Sequence, residues 1–326
     1  MSLSDLRVAS PAHLVAVVPY LLGFHPRDSL VVVGRREHAL MFAARRDLPP
    51  ADTPFAEVAE AAQHIAAVVA RQAIDAVILF GYTDERSSGA ALVAAVGDAL
   101  LDLGIPVREQ LRVADDRFWC YLCTDEGCCP PAGRPFDAEA AEIRQTAGFS
   151  VFDSREALVA SVAPVESEGM RVATAVADRR LEEMAARTEA GAGPLLGEIR
   201  RAGARAVGVA LARYRDGGTL DDDEAAWLSV LLAHDSVGEY ALNRADAAGW
   251  QVALWSDLLR RARPELAAMP AVLLAFTAWR TGQGALAAVA VDRALDADPS
   301  LGIAHLLDDV LTDGIPPSAL DRPRAA

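Results

Sequence analysis

SLVVVG, residues Ser29 to Gly34, is the stretch that decides the fold. Leu30, Val31, Val32 and Val33 are apolar at successive positions, so a strand made from them has no polar face and must be covered on both sides. Working outward, Ser10-Pro11 reads as a helix N-cap followed by proline at the first helical position, with Gly23 as a left-handed stop after Leu22 and Phe24 closing it by a hydrophobic contact. On the other side, a turn at Arg35 to His38 leads into a second strand, Ala39 to Asp47. A helix at about 55 to 72, a buried strand Ala76 to Tyr82 and a helix from about Ser88 to Leu103 complete an α/β unit. A hairpin follows, Val107 to Val113 and Arg117 to Cys123, turning at Ala114-Asp115-Asp116. The expected class is α/β, a mixed sheet carrying helices.

From about Val165 the strand signals stop, and an all-α helical domain is expected to the end of the chain. Met170, Thr174, Ala177, Leu181 and Met184 mark one apolar helix face, a packing stripe and not a cofactor box. Gly282, Ala287, Ala294-Leu295 and Asp298-Pro299 resemble one tetratricopeptide-like helix pair over about 268 to 301. The division expected is 1–163 for the α/β domain with a cysteine-rich loop and 164–326 for the helical domain.

With 326 residues and 52% apolar content, the chain suits two ordinary domains and not a disordered segment. Its first residues, MSLSDLRVASPAHLVAVVPYLLGF, carry only Arg7 as an early positive charge, and Pro19 interrupts an apolar run too short to span a bilayer. A soluble cytoplasmic protein is expected, with no membrane association. The net charge of −15, with arginine pairs dispersed among acids, argues against nucleic acid. All 31 basic residues are arginine, so every mechanism that needs a lysine amine is excluded, from P-loop phosphate binding to Schiff-base chemistry. There is no G-x-S-x-G elbow and no H-E-x-x-H helix. Asp221 to Glu224 reads as the first turn of a helix, and Gly282-Gln283-Gly284 as a helix-helix turn.

All four cysteines fall within CYLCTDEGCC, residues 120 to 129. If the hairpin turns at Asp115-Asp116, Val113 pairs with Phe118, Leu111 with Cys120 and Arg108 with Cys123. Phe118, Cys120 and Leu122 then share the apolar face. Trp119, Tyr121 and Cys123 lie on the other face beside Arg112, Gln110 and Arg108, where guanidinium groups lower a thiol pKa. Three readings follow for Cys123, Cys128 and Cys129. One is a structural metal, zinc first, with His25 as a candidate fourth ligand; against it, Cys128 and Cys129 point apart if the chain is extended. The second is a reversible disulfide, and the third a purely architectural role. Two further candidates are the polar loop Tyr82 to Gly89, at a strand's carboxyl end with a serine cap, and His25/Asp28/Ser29, too close in sequence for a triad.

VPYLLGFHPRDSLVVVG (Val18 to Gly34) and YLCTDEGCCPPAG (Tyr121 to Gly133) resemble the two signature stretches of the actinobacterial domain-of-unknown-function family numbered 4192. The resemblance extends over most of the chain and implies no activity. Cys123, Cys128 and Cys129 match that family's recurrent cysteines, whereas Cys120 falls outside them.

The function expected is a non-enzymatic regulatory or protein-interaction module with a redox- or metal-responsive cysteine loop, whose helical domain offers a surface to a protein partner. The alternative is a thiol-dependent hydrolase, transferase or oxidoreductase acting on a small anionic substrate, with Cys123 or Cys128 as nucleophile and Arg108 holding the anion.

Overall fold

A computed structural model describes residues 10–37, 39–146, 151–189 and 195–320. Arg7 and His38 therefore lie outside the described residues, and the chain divides into two compact units. The first runs through Leu158 and includes Asp313–Pro316; the second comprises Val159–Thr312 and the segment from Pro317.

In the first unit the order is α1 (Pro11–Leu22), β1 (Ser29–Arg36), β2 (Ala39–Asp47), α2 (Phe55–Ala70), β3 (Ala76–Tyr82), α3 (Arg86–Asp102), β4 (Val107–Ala114), β5 (Arg117–Cys120), β6 (Arg134–Pro135) and α4 (Asp137–Thr146), with α5 (Arg155–Ser161) at the boundary. The strands form one six-stranded sheet, ordered β2-β1-β3-β4-β5-β6. Only β3 and β4 are parallel, joined by α3; the other neighbours are antiparallel. The sheet is mixed, as the alternation of helix and strand patterns predicts.

β1 and β3 are adjacent interior strands, covered on both faces because their sequences are apolar at both parities. Leu30, Val32, Val77 and Leu79 pack with Val58, Ala62, Ala66 and Val69 of α2 and with Leu92, Val96 and Leu100 of α3. Val31, Val33, Ile78 and Phe80 alternate with them, point to the opposite face and are also buried. α1 lies against β2 and α4. It starts where the capping signal predicts, with the Ser10 hydroxyl accepting from the His13 amide at 3.2 Å, and ends at Gly23, whose φ is 82°.

Two boundaries differ from the sequence pattern. Helix α3 begins at Arg86 with Glu85 as its N-cap and no side-chain cap bond, so the expected serine cap is not the N-cap. The second hairpin strand ends at Cys120, three residues early, and β6 returns to pair with it. A two-residue polar strand carries no periodicity, which is why β6 escapes a pattern search.

Beyond Val165 every element among the described residues is helical: α6 (Glu168–Glu189), α7 (Leu195–Arg215), α8 (Asp222–Leu232), α9 (Asp235–Leu242), α10 (Gly249–Arg261), α11 (Ala268–Arg280), α12 (Gly284–Ala297) and α13 (Gly302–Thr312), with short 3-10 turns. Asp221 and Glu224 form a reciprocal capping box on α8, with Asp221 Oδ1 accepting from the Glu224 amide at 2.9 Å. The acidic run is therefore a helix start and not a cation site. On α6, Met170, Thr174, Ala177 and Met184 are buried, while Leu181 is half-buried. α6 packs on α8, with the Arg180 guanidinium 4.1 Å from the centre of the Trp227 ring. No helix among the described residues is long and apolar enough to cross a membrane.

Helices α11 and α12 meet closely where the small residues fall. Ala278 and Ala287 are fully buried in one cluster with Trp279, bordered by Phe276, Leu286 and Val310. Ala287→Leu is expected to overpack this contact and cost about 1–3 kcal/mol, measured by chemical denaturation. An unchanged midpoint would show that the helix pair tolerates a larger side chain there.

Candidate functional site: the cysteine loop

The loop is built from the β4–β5 hairpin outward. Asp115 and Asp116 both take positive φ, 47° and 57°, the geometry of a type I′ turn. That turn sets the register Ala114↔Arg117, Val113↔Phe118, Arg112↔Trp119 and Leu111↔Cys120, the pairing expected from the sequence. Leu111, Val113 and Phe118 are buried on one face, and Cys120 is half-buried on that same face. The opposite face carries Trp119 and Arg112, whose guanidinium lies 3.7 Å from the indole centroid. The same guanidinium donates to the Thr83 and Asp84 carbonyls at 3.2 and 3.0 Å. Tyr121 lies over Gly81, where a Cβ would collide with the phenolic oxygen.

The last rung of this ladder is the Tyr121 amide donating to Gln110 at 2.8 Å. Beyond it the chain leaves the sheet. The expected Arg108–Cys123 pairing is therefore not part of the ladder, Arg108 is exposed on β4, and Leu122 is 72% exposed and not in the core. A tight turn then forms around Asp125. Its carboxylate accepts from the Gly127 amide at 2.8 Å, and its carbonyl accepts from the amides of Cys128 (3.1 Å) and Cys129 (2.7 Å). Consecutive residues of such a helical turn are about 100° apart, not opposed as in a strand. Cys128 and Cys129 therefore reach the same side, which removes the geometric objection that an extended chain raises.

The outcome is a group of three sulfurs. Those of Cys123, Cys128 and Cys129 all lie within 4.8 Å of one another, with Cys128 exposed and the other two half-buried. None of the four cysteines is in a disulfide. Cys120 and His25 are outside the group; His25 is exposed, and its amide donates to Phe152 at 3.0 Å.

The loop's return is fixed without the sulfurs. Trp119 Nε1 donates to the Pro131 carbonyl at 3.0 Å, and Arg117 donates to the carbonyls of Ala132 and Gly133 at 3.2 and 3.0 Å. Gly133 has φ 74°, and a Cβ there would stand 2.5 Å from the Trp119 ring. Arg117, Trp119 and Gly133 form the framework of this loop and were not among the sequence candidates. The available signal was a lone tryptophan in a short strand followed by Pro-Pro-x-Gly.

The electrostatics differ from the expected arginine-lined thiol. Hydrogen bonding from the Asp125 backbone, then from the Cys129 and Cys128 thiols, holds Cys123 below the usual thiol range, while the Asp125 carboxylate pushes it the other way. Hydrogen bonding to Cys123 and its developing charge push Cys128 up. Cys123 and Cys128 are thus shifted in opposite directions by the contact between them. The charge acting on Cys123 is negative, not a guanidinium.

The remaining candidates are occupied structurally. Ser29 is fully buried; its hydroxyl donates to the Arg27 carbonyl and accepts from Arg45 Nε at 2.7 Å. In the β3–α3 loop the Thr83 hydroxyl closes a local turn with Glu85, and the loop turns two carbonyls towards Arg112. Gly282, at φ 79°, is the turn between α11 and α12.

Gly133→Ala is expected to cost about 1–3 kcal/mol, because it forces both a left-handed backbone on alanine and a clash with Trp119. Chemical denaturation followed by tryptophan emission measures it. A variant as stable as the parent would mean that Trp119 does not hold the loop return.

No curated protein and no solved structure matches the chain. The family described as Domain of unknown function (DUF4192) matches residues 11–318, nearly the whole length and both signature stretches, and the chain belongs to that family.

Proposed function

We propose that this protein is a non-enzymatic regulatory module of a reducing, cytoplasmic compartment. The cysteine loop is its chemically responsive element, and the helical unit presents a surface to a protein partner. The observation that carries the reading is the convergence of three thiols in a solvent-facing loop anchored to a rigid sheet through Trp119 and Arg112. A change of state at the sulfurs reaches the β3–α3 loop through two contacts, because Arg112 holds both Trp119 and that loop's carbonyls. The helix pair α11–α12, read as tetratricopeptide-like, is the part of the second unit we assign to partner binding.

The thiol-enzyme alternative is less well supported. A nucleophilic cysteine requires an electropositive neighbourhood, and an anionic substrate requires a nearby cation. Cys123 instead has the Asp125 carboxylate beside it, and Arg108 lies outside the hairpin ladder.

The test compares amide exchange of the full chain with its thiols reduced and after mild oxidation with diamide. The expected change is confined to Tyr121–Gly133 and the β3–α3 loop. Steady turnover of an anionic thioester or phosphoester that disappears in Cys123→Ser would overturn the regulatory reading in favour of the enzyme.

A further inference from the structure

We propose that Cys123, Cys128 and Cys129 form a three-thiolate site for a thiophilic d10 cation, zinc foremost, with an open fourth position. The inference rests on the regulatory reading above and names the signal to which the loop responds.

Three observations support it. The first is distance. Sulfurs bound to one zinc lie about 3.8 Å apart, from a Zn–S bond of about 2.3 Å in tetrahedral geometry. The three sulfurs already lie within 4.8 Å of one another, so binding calls for side-chain adjustments of about 1 Å or less. The second is the backbone. Two amides fixed on the Asp125 carbonyl hold consecutive cysteines in a turn, so two ligands come from one rigid unit and Cys123 closes over it, its Sγ 3.9 Å from the same carbonyl.

The third is charge. A thiol selected for redox exchange is served by positive neighbours. Here the neighbouring charge is the Asp125 carboxylate, and Glu126 is exposed in the same turn. Negative surroundings oppose three thiolates alone and favour a bound cation. A disulfide would use two of the sulfurs and leave the third without a role.

The open position follows from the ligand set. Structural zinc sites are closed by four protein ligands, whereas three ligands leave room for water or an exchanging donor. His25 and Cys120 lie outside the group of converged sulfurs, and Cys128 is exposed. Binding releases the thiol protons to solvent as each S–H becomes a metal-bound thiolate, with no change in oxidation state. Because the loop return is held by Trp119, Arg117 and Gly133, the cation is a signal and not a condition of folding.

The experiment uses the full reduced chain, freed of metal with a chelator, titrated with Zn²⁺ against a chromophoric chelator and separately with Cd²⁺ to read thiolate charge-transfer absorption. Expected are one equivalent of either ion, a charge-transfer band, and an unchanged circular dichroism spectrum and thermal midpoint in the metal-free form. Cys123→Ser, Cys128→Ser and Cys129→Ser should each weaken binding by more than the roughly 10- to 100-fold that loss of an outer-shell partner costs. Cys120→Ser should bind as the parent does. Absence of a charge-transfer band, or binding lost in Cys120→Ser and kept in Cys128→Ser, overturns the site. If the loop responds to diamide but binds neither ion, the metal inference fails while the regulatory reading stands. If an activity that requires Cys123 appears instead, both fall.

Discussion

The Arg112 guanidinium ties the sheet to the cysteine loop. It stacks on Trp119 and donates to the carbonyls of Thr83 and Asp84, so it joins the carboxyl end of β3 to the hairpin from which the loop emerges. A stacked, partly covered guanidinium contributes about 0.5–2 kcal/mol through the ring, and its charge-assisted hydrogen bonds add on the order of 1.5–3 kcal/mol. Trp119 passes the constraint on by holding the Pro131 carbonyl and filling the space that Gly133 leaves open. Loop position is thereby set by the sheet.

Within that frame the chemistry is local. The Asp125 turn brings Cys128 and Cys129 to one side, and Cys123 reaches them as the chain leaves the ladder. Three thiols converge in a partly exposed, acidic loop, and a cation bound among their thiolates would relieve the repulsion between them. A nucleophile would need surroundings of the opposite sign. Cys120, the last residue of β5 and on the core-facing side, has the environment of a packing residue.

Much of this was legible in the sequence because side-chain parity is strict in a strand. Leu30 to Val33 and Ala76 to Tyr82 could only be central strands, and the turn at Asp115-Asp116 fixed the hairpin register down to Leu111↔Cys120. The same parity failed after Cys120, since it holds only while the ladder lasts. Leu122 and the Arg108–Cys123 pairing went wrong for that reason. The two-residue β6 was not visible because it depends on a tertiary pairing and has no period; the Asp125 turn is closed by local hydrogen bonds, but composition marks only a turn-rich stretch there and not which carbonyl closes it. In the helical half, capping chemistry carried the reading: Asp221-Asp222-Asp223-Glu224 is a helix start before it is anything else.

On this reading the sheet pre-forms the three-sulfur turn before any ligand arrives. Residue-resolved amide exchange of the reduced, metal-free protein tests this most directly, since the Cys128 and Cys129 amides both donate to the Asp125 carbonyl. Both are expected to exchange at least about tenfold more slowly than in an unstructured peptide of the same sequence. Exchange of both amides at the unstructured rate, with the β1, β3 and β4 amides still protected, would contradict it.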